Sequence, residues 1–186
     1  GSWHKYAMTK LSDFSSEERA LIVSLPYRVG IWISNCDDNE KTGRDDKQER
    51  KVLELAISRM AKAHRKMPFA AEIMYQVETA KNHWRSWEQA GEEKQVLQDL
   101  AKALEICGRS LSKKEMSQYK QAVWNIAMAV AQAFGEHVDP DNEMHVNNFF
   151  SWLGSFVVGP RLKKAPENMS MAEKTALKKL RAVLKG

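Results

Sequence analysis

SKKEMSQYKQAVWNIAMAVAQAFG, residues 112–135, is the stretch of sequence that decides the fold. It opens with Ser112-x-x-Glu115, a capping box in which a hydroxyl and a carboxylate bind the free backbone N–H groups of a helix start. Large apolar residues then recur every three or four positions, the period of one helix face, with alanines around them: Met116, Tyr119, Val123, Ile126, Val130 and Phe134. The stretch is apolar nearly all round, so it predicts a helix buried on every side and ended by Gly135.

Helix signals continue on both sides of this stretch. Ser15-x-x-Glu18 and Ser170-x-x-Glu173 repeat the capping box, and Pro68 suits a first helical position. Apolar spacing predicts six further helices, over about 15–36, 46–65, 68–87, 92–107, 140–158 and 170–184. Pro26 is expected to kink or split the first of them. No segment alternates with period two, so we predict an all-α bundle of about seven helices with the fifth at its centre.

Composition limits the class of protein. The chain has 186 residues, enough for one domain with its own core, and only two cysteines. We expect Cys36 and Cys107 to be reduced core thiols in a reducing compartment. The sequence shows no secretion signal, and no apolar run reaches the ~18 residues of a membrane helix. These features favour a cytoplasmic location, with peripheral contact at the inner face of the membrane left open.

The predicted organisation has three parts. Residues 1–14 are interpreted as a leader that includes a cloning scar, Gly1-Ser2. Residues 15–158 form the helical domain. Residues 159–186 form a linker and a basic last helix, packed on the domain or extending from it.

Positive charge is concentrated at the C-terminus. From Gly159 onward eight lysines and arginines face two glutamates, a charge of +6, so the rest of the chain carries −1 of the total +5. A basic amphipathic helix of this kind can dock on an anionic membrane surface or an acidic protein, and the alternative is a solvated basic face. Nucleic acid is disfavoured, because a basic helix alone binds it without specificity. The candidate partner-binding residues are Arg161, Lys163, Lys164, Lys178, Lys179 and Arg181.

An acidic loop between the first two helices is the best candidate metal site. Counted from Asp38, it places Gly43 at the sixth position, as an EF-hand calcium loop does. Its candidate ligands are hard oxygens, which favour Ca²⁺ or Mg²⁺: Asp38, Glu40, Thr42, Asp46 and Glu49. Lys41 and Arg44 weaken the match. The alternative is a solvated loop whose carboxylates cap the next helix.

A second polar set, Glu136, Asp139 and Glu143, separates the fifth and sixth predicted helices. Asp141 and His145 stand four apart and would share a helix face. A weaker metal site is one interpretation of this set. The other is that Asp139 caps a helix that begins at Pro140.

The two loops occur in similar contexts, each after an apolar helix and before another helix, which is a weak internal duplication. This arrangement resembles the TerB-like family of tellurite-resistance proteins over residues from about 15 to 157. The second copy matches the family pattern at Gly135, Asp139, Glu143, Leu153 and Gly154. It departs at Phe134, where the family usually has aspartate, and the first copy carries a longer insertion through Thr42-Gly43.

The resemblance implies a bacterial helical protein that acts in stress and metal-oxyanion resistance through partners rather than through catalysis. No phosphate-binding loop, G-x-S-x-G, H-E-x-x-H or C-x-x-C motif occurs. We therefore predict a non-enzymatic TerB-like module that binds one divalent cation and acts through protein partners. The alternative is an adaptor bundle that docks through its basic last helix. An enzyme stays open as a third class, since helices can assemble sites that no linear motif reveals.

Overall fold

The computed structural model describes residues 8–36, 43–132, 139, 141–155 and 169–186, with side chains at all of these except 43–46 and 152–155. These residues form eight α-helices and two short 3₁₀ turns, with no strand among them. The helices are α1 (Ser16–Asn35), α2 (Gly43–Ala61), α3 (Pro68–Thr79), α4 (Trp84–Gln89), α5 (Glu93–Gly108), α6 (Lys113–Gln132), α7 (Glu143–Ser155) and α8 (Met171–Lys185). The prediction of an all-α bundle is confirmed.

Helices α1 and α6 form the centre of the bundle. Helix α6, the fifth predicted helix, packs against α1, α2, α3, α7 and α8, and α1 packs against α2 to α6 and α8. Twelve of the 20 residues of α1 and eleven of the 20 of α6 are buried. The predicted central helix therefore shares its position with α1, which the apolar pattern alone did not rank as highly.

Gly30 lets α1 and α2 approach closely. A Cβ atom at this position would overlap the Cδ atoms of Leu53 on α2. Leu53 is itself buried, so it cannot swing away into solvent. The contact requires a residue without a side chain.

Pro26 does not split α1, which continues across it from Ser16 to Asn35. Proline inside a helix costs about 3 kcal/mol through a lost hydrogen bond and a steric clash. Pro26 is buried among other buried residues of α1, and burial of the surrounding apolar face offsets that cost. Tertiary packing therefore overrides the local signal.

The third predicted helix, over about 68–87, is wrong in extent, because the structure divides this stretch into two helices. Helix α3 ends at Thr79, and a 3₁₀ turn (Lys81–His83) leads into the short α4. The indole Nε1 of Trp84 donates a 2.9 Å hydrogen bond to the carbonyl oxygen of Val77, and its ring stacks on Tyr27 with centroids 4.7 Å apart. These contacts hold Trp84 against the end of α3 and against α1, and the break between α3 and α4 accounts for eight helices rather than about seven.

The segment before α1 packs on the bundle. Leu11 and Phe14 are buried, and the ring of Phe14 lies 6.0 Å from that of Phe69 on α3. Thr9 donates to both carboxylate oxygens of Glu115, through its backbone N–H and its hydroxyl. The chain from Thr9 to Phe14 thus crosses the starts of α3 and α6.

Both cysteines are free thiols. Cys107 is fully buried, and burial, with a smaller contribution from Glu18, raises its pKa to about 12. Cys36 is half-buried at the end of α1. The thiol of Cys107 is therefore protonated and enclosed by the core.

Candidate functional site

Helix α8 buries one face and exposes another. It begins with the predicted capping box, since Ser170 Oγ accepts from Glu173 N and Glu173 Oε1 accepts from Ser170 N. Its apolar stripe packs against α5 and α6 and consists of Ala176, Leu177, Leu180 and Leu184, all buried. The hydrophobic side of this helix is already covered by the bundle.

Four cations follow one side of α8 at spacings of four, three and four residues, which places them on one helix face. They are Lys174, Lys178, Arg181 and Lys185, and we call this set the basic face. Lys178 and Lys185 are exposed, and Lys174 and Arg181 are half-buried. The structure leaves this face on the surface.

Lys179 lies on the opposite flank of α8. Its Nζ makes a 2.8 Å ion pair with Glu93 at the start of α5, and the two side chains are 50% and 39% exposed. The three predicted residues therefore do not share one surface. Lys178 and Arg181 lie on the basic face, and Lys179 lies on the other flank of α8. Arg161, Lys163 and Lys164 lie outside the described residues.

The C-terminal half of α8 forms one wall of a groove of about 670 Å³, which we call the α6–α8 groove. The first half of α6 forms the other wall, and residues at the turn between α5 and α6 also line the groove. Its lining residues are Gly108, Leu111, Ser112, Lys113, Met116, Ser117, Lys120, Gln121, Arg181, Leu184 and Lys185.

The lining of the groove is cationic and apolar. Two lysines of α6, Lys113 and Lys120, face Arg181 and Lys185 of α8. Among the residues that the structure describes, no carboxylate lines the groove. Four unit charges around one concave surface favour an anion, because they reinforce one another at short range.

Glu115, the nearest carboxylate along α6, is not one of the lining residues, and its oxygens are held by hydrogen bonds within the chain. Its oxygens accept hydrogen bonds from Ser112 N and from the backbone and hydroxyl of Thr9. Burial acts to raise the pKa of Glu115, but these hydrogen bonds outweigh it and hold the pKa below its usual value. The carboxylate is therefore charged, but it is bound to the segment before α1.

Sequence patterns did not identify Lys113 and Lys120 as site residues. Their seven-residue spacing, with Met116 and Ser117 between them, places them on one face of α6. That signal was present in the sequence, but nothing in it indicated that α8 would pack beside this face.

The first acidic loop is described only in part. Asp38, Glu40 and Thr42 lie outside the described residues, and Asp46 is described as backbone only. Glu49 is 1% exposed on α2. Helix α2 begins at Gly43, the position at which an EF-hand loop makes its sharp turn, so the second half of the candidate loop is helical.

The second polar set does not form the expected helix cap. Glu136 and Pro140 lie outside the described residues. Helix α7 begins at Glu143 rather than Pro140, and Asn142 caps it, since its Oδ1 accepts from the backbone N–H groups of Met144 and His145. Asp139 instead accepts from Asp141 N at 3.0 Å.

Both Asp139 and Glu143 are exposed. In the part of the chain that the structure describes, no three His, Cys, Asp or Glu residues come together in a way that could hold a metal ion. The cation sites at both loops therefore stay predictions.

Trp84 and Trp87 pack around Tyr27 at the edge of the core. The phenol of Tyr27 donates a 2.9 Å hydrogen bond to Glu88. Burial and this hydrogen bond raise the pKa of Tyr27 well above its usual value. The cluster fixes α4 against α1, which is a packing role.

No protein-family model, curated protein or solved structure matches this chain. The resemblance to TerB-like proteins therefore stays a prediction. Over the described residues, no helix has both the length and the apolar character needed to cross a membrane.

Proposed function

We propose that this protein is a non-enzymatic binding module that docks onto an acidic protein through the basic face of α8. The observation that supports this proposal is the division of α8 into a buried apolar stripe and an exposed cationic side. Charges that complement a partner speed its encounter and select it against other surfaces. The basic face carries four cations at spacings of four, three and four residues, so an acidic surface could contact several of them together.

An acidic protein fits the basic face better than a membrane does. An amphipathic helix binds a bilayer by burying its apolar face among the lipids. Leu177, Leu180 and Leu184 are already buried in the bundle, so α8 would have to leave its place before it could insert. The α6–α8 groove is also concave, which suits a protruding protein segment.

Binding to labelled poly-L-glutamate, measured by fluorescence anisotropy, tests this proposal. The wild type is expected to bind at low salt and to weaken as salt rises, because exposed charges are screened over about 8 Å at physiological ionic strength. Lys178→Glu/Lys185→Glu should lose most of the binding. Lys51→Glu/Lys62→Glu is the matched control, since it changes the net charge equally at exposed positions on α2 and in the turn that follows it. This control should retain most of the binding.

Two results would contradict the proposal. One is an equal loss of affinity in both double variants, which would show that only net charge matters. The other is co-sedimentation with phosphatidylserine vesicles in the absence of poly-L-glutamate binding, which would make the membrane the partner.

The TerB-like assignment and the divalent cation at residues 38–49 are a separate hypothesis. Of the five candidate ligands, only Glu49 has a described side chain, and it is buried on α2. Nothing about the basic face depends on this cation, so the two hypotheses can fail independently.

A further inference from the structure

We infer that the α6–α8 groove seats an acidic segment of the partner whose carboxylates flank at least one large apolar side chain. This inference rests on the proposed function and deepens it, because it names the place where the partner docks and the chemistry of the segment that enters.

The floor of the groove is apolar. Leu184 is 1% exposed, and Leu111 and Met116 are half-buried beside it. An aliphatic or aromatic side chain placed there would leave water and contact all three. Methionine adapts its shape to irregular partners, so Met116 can adjust to the side chain that enters.

Cations stand on both sides of that floor. Lys113 and Lys120 are two turns apart on α6, and Arg181 and Lys185 are one turn apart on α8. An apolar side chain on the floor therefore has positive charge on either side of it. Carboxylates that flank the apolar residue in sequence would meet these charges.

The two flanks of α8 differ in how their cations are used. Lys179 is paired with Glu93 within the chain. On the groove side none of the described lining residues is acidic, so an incoming anion would find cations there without a carboxylate among those residues. This difference supports an external acidic occupant for the groove.

The openness of the groove, rather than its size, favours a chain segment over a small molecule. Its volume of about 670 Å³ lies within the ~300–1,000 Å³ range of ligand-binding clefts. It is nevertheless partly open to solvent, so a chain segment could lie in it with both of its ends outside. A small inorganic anion would bind the cations but would make no apolar contact with the floor of the groove.

Gly108 offers a way to fill the groove without altering its charge. It is the last residue of α5, is exposed, and lines the groove. A Cβ atom there would lie 3.8 Å from Cε of Met116, an ordinary contact. Alanine therefore fits at this position, and a phenylalanine side chain would extend over the floor.

Fluorescence anisotropy with two labelled helical peptides of equal length and charge tests the inference. Both carry glutamates on one side, and one has leucines between them where the other has serines. The leucine peptide should bind the wild type about tenfold or more tightly than the serine peptide, because a leucine that enters the groove removes its apolar side chain from water.

Gly108→Phe should remove that advantage, and Gly108→Ala, the matched control, should keep it. Lys113→Glu/Lys120→Glu should weaken both peptides. Circular dichroism and the thermal midpoint of each variant establish that it is folded before its binding is compared.

The failure modes are separable. Equal binding of the two peptides, unaffected by Gly108→Phe, would overturn the groove inference and leave docking on the basic face intact. Failure of both peptides to bind would overturn the proposed function as well. Displacement of the leucine peptide by millimolar inorganic pyrophosphate, beyond the effect of chloride at equal ionic strength, would make the groove a small-anion site and also overturn the inference.

Discussion

Arg28 on α1 and the cations of α8 show two uses of positive charge in one bundle. Arg28 is 6% exposed, and its guanidinium donates to Asp99 Oδ2 at 2.7 Å, to the carbonyl oxygen of Ala90 at 2.7 Å and to Ser24 Oγ at 3.3 Å. On the basic face of α8, Lys178 and Lys185 are exposed to solvent. The guanidinium of Arg28 is held in place by three acceptors within the protein. The exposed ammonium groups of Lys178 and Lys185 are accessible to a binding partner.

A positive charge in this bundle contributes to stability or to binding according to the partners that it has within the chain. The guanidinium of Arg28 ties α1 to α5 and to the turn before α5. A buried charge that loses its partner costs several kcal/mol, whereas a surface charge costs little to change. Stability and binding should therefore respond to different cations.

The largest effect is expected at Arg28. Arg28→Ala removes the guanidinium and leaves Asp99 Oδ2 and the carbonyl of Ala90 without the donors that Arg28 supplies, while Asp99 Oδ1 keeps its hydrogen bond from Gln95. We expect the free energy of unfolding to fall by about 3–5 kcal/mol, measured by urea denaturation followed by circular dichroism. Lys178→Ala, on the basic face, should change it by no more than about 0.5 kcal/mol.

A double variant sharpens this test. Arg28→Met/Asp99→Leu replaces both charges with apolar side chains, and such replacements are often close to neutral. It should recover most of the stability that Arg28→Ala loses. If Arg28→Ala is as stable as Lys178→Ala, the distinction between fixed and available charge is wrong.

The next effect compares two glycines, one at the centre of the bundle and one at its surface. Gly30→Ala would drive a Cβ atom into the buried Leu53 and should cost about 1–3 kcal/mol. Gly108→Ala meets only Met116 Cε, at 3.8 Å, and should stabilise the protein by up to about 1 kcal/mol, because alanine favours a helix over glycine. Denaturation midpoints of the two variants measure the difference, and equal midpoints would contradict the packing shown at Gly30.

Local signals were sufficient to predict most of the fold. The capping boxes at Ser15, Ser112 and Ser170 all form, each with reciprocal hydrogen bonds. Errors occurred where a distant contact decided the outcome. The stacking of Trp84 on Tyr27 and its bond to Val77 divide the third predicted helix, and no periodicity within residues 68–87 reveals those contacts.

The candidate site was predicted only in part, for a similar reason. The basic character of α8 is visible in its composition, but its division into a paired flank and a groove-lining flank depends on where α5 and α6 lie. Glu93 and Lys179 are far apart in sequence, as are Lys113 and Lys185. Only the folded bundle shows which of the lysines has a carboxylate beside it.

The smallest effect lies within α8 itself. Lys179→Ala breaks the ion pair with Glu93, whose two side chains are 50% and 39% exposed. Exposed pairs contribute about 0–1 kcal/mol, and salt screens them. Urea denaturation at low and high salt should show a loss of stability under about 1 kcal/mol that shrinks as salt rises, and Lys178→Ala should show no such dependence. Neither variant should alter the preference for the leucine peptide, because neither residue lines the groove; a changed preference in Lys179→Ala would mean that the two flanks of α8 are not independent.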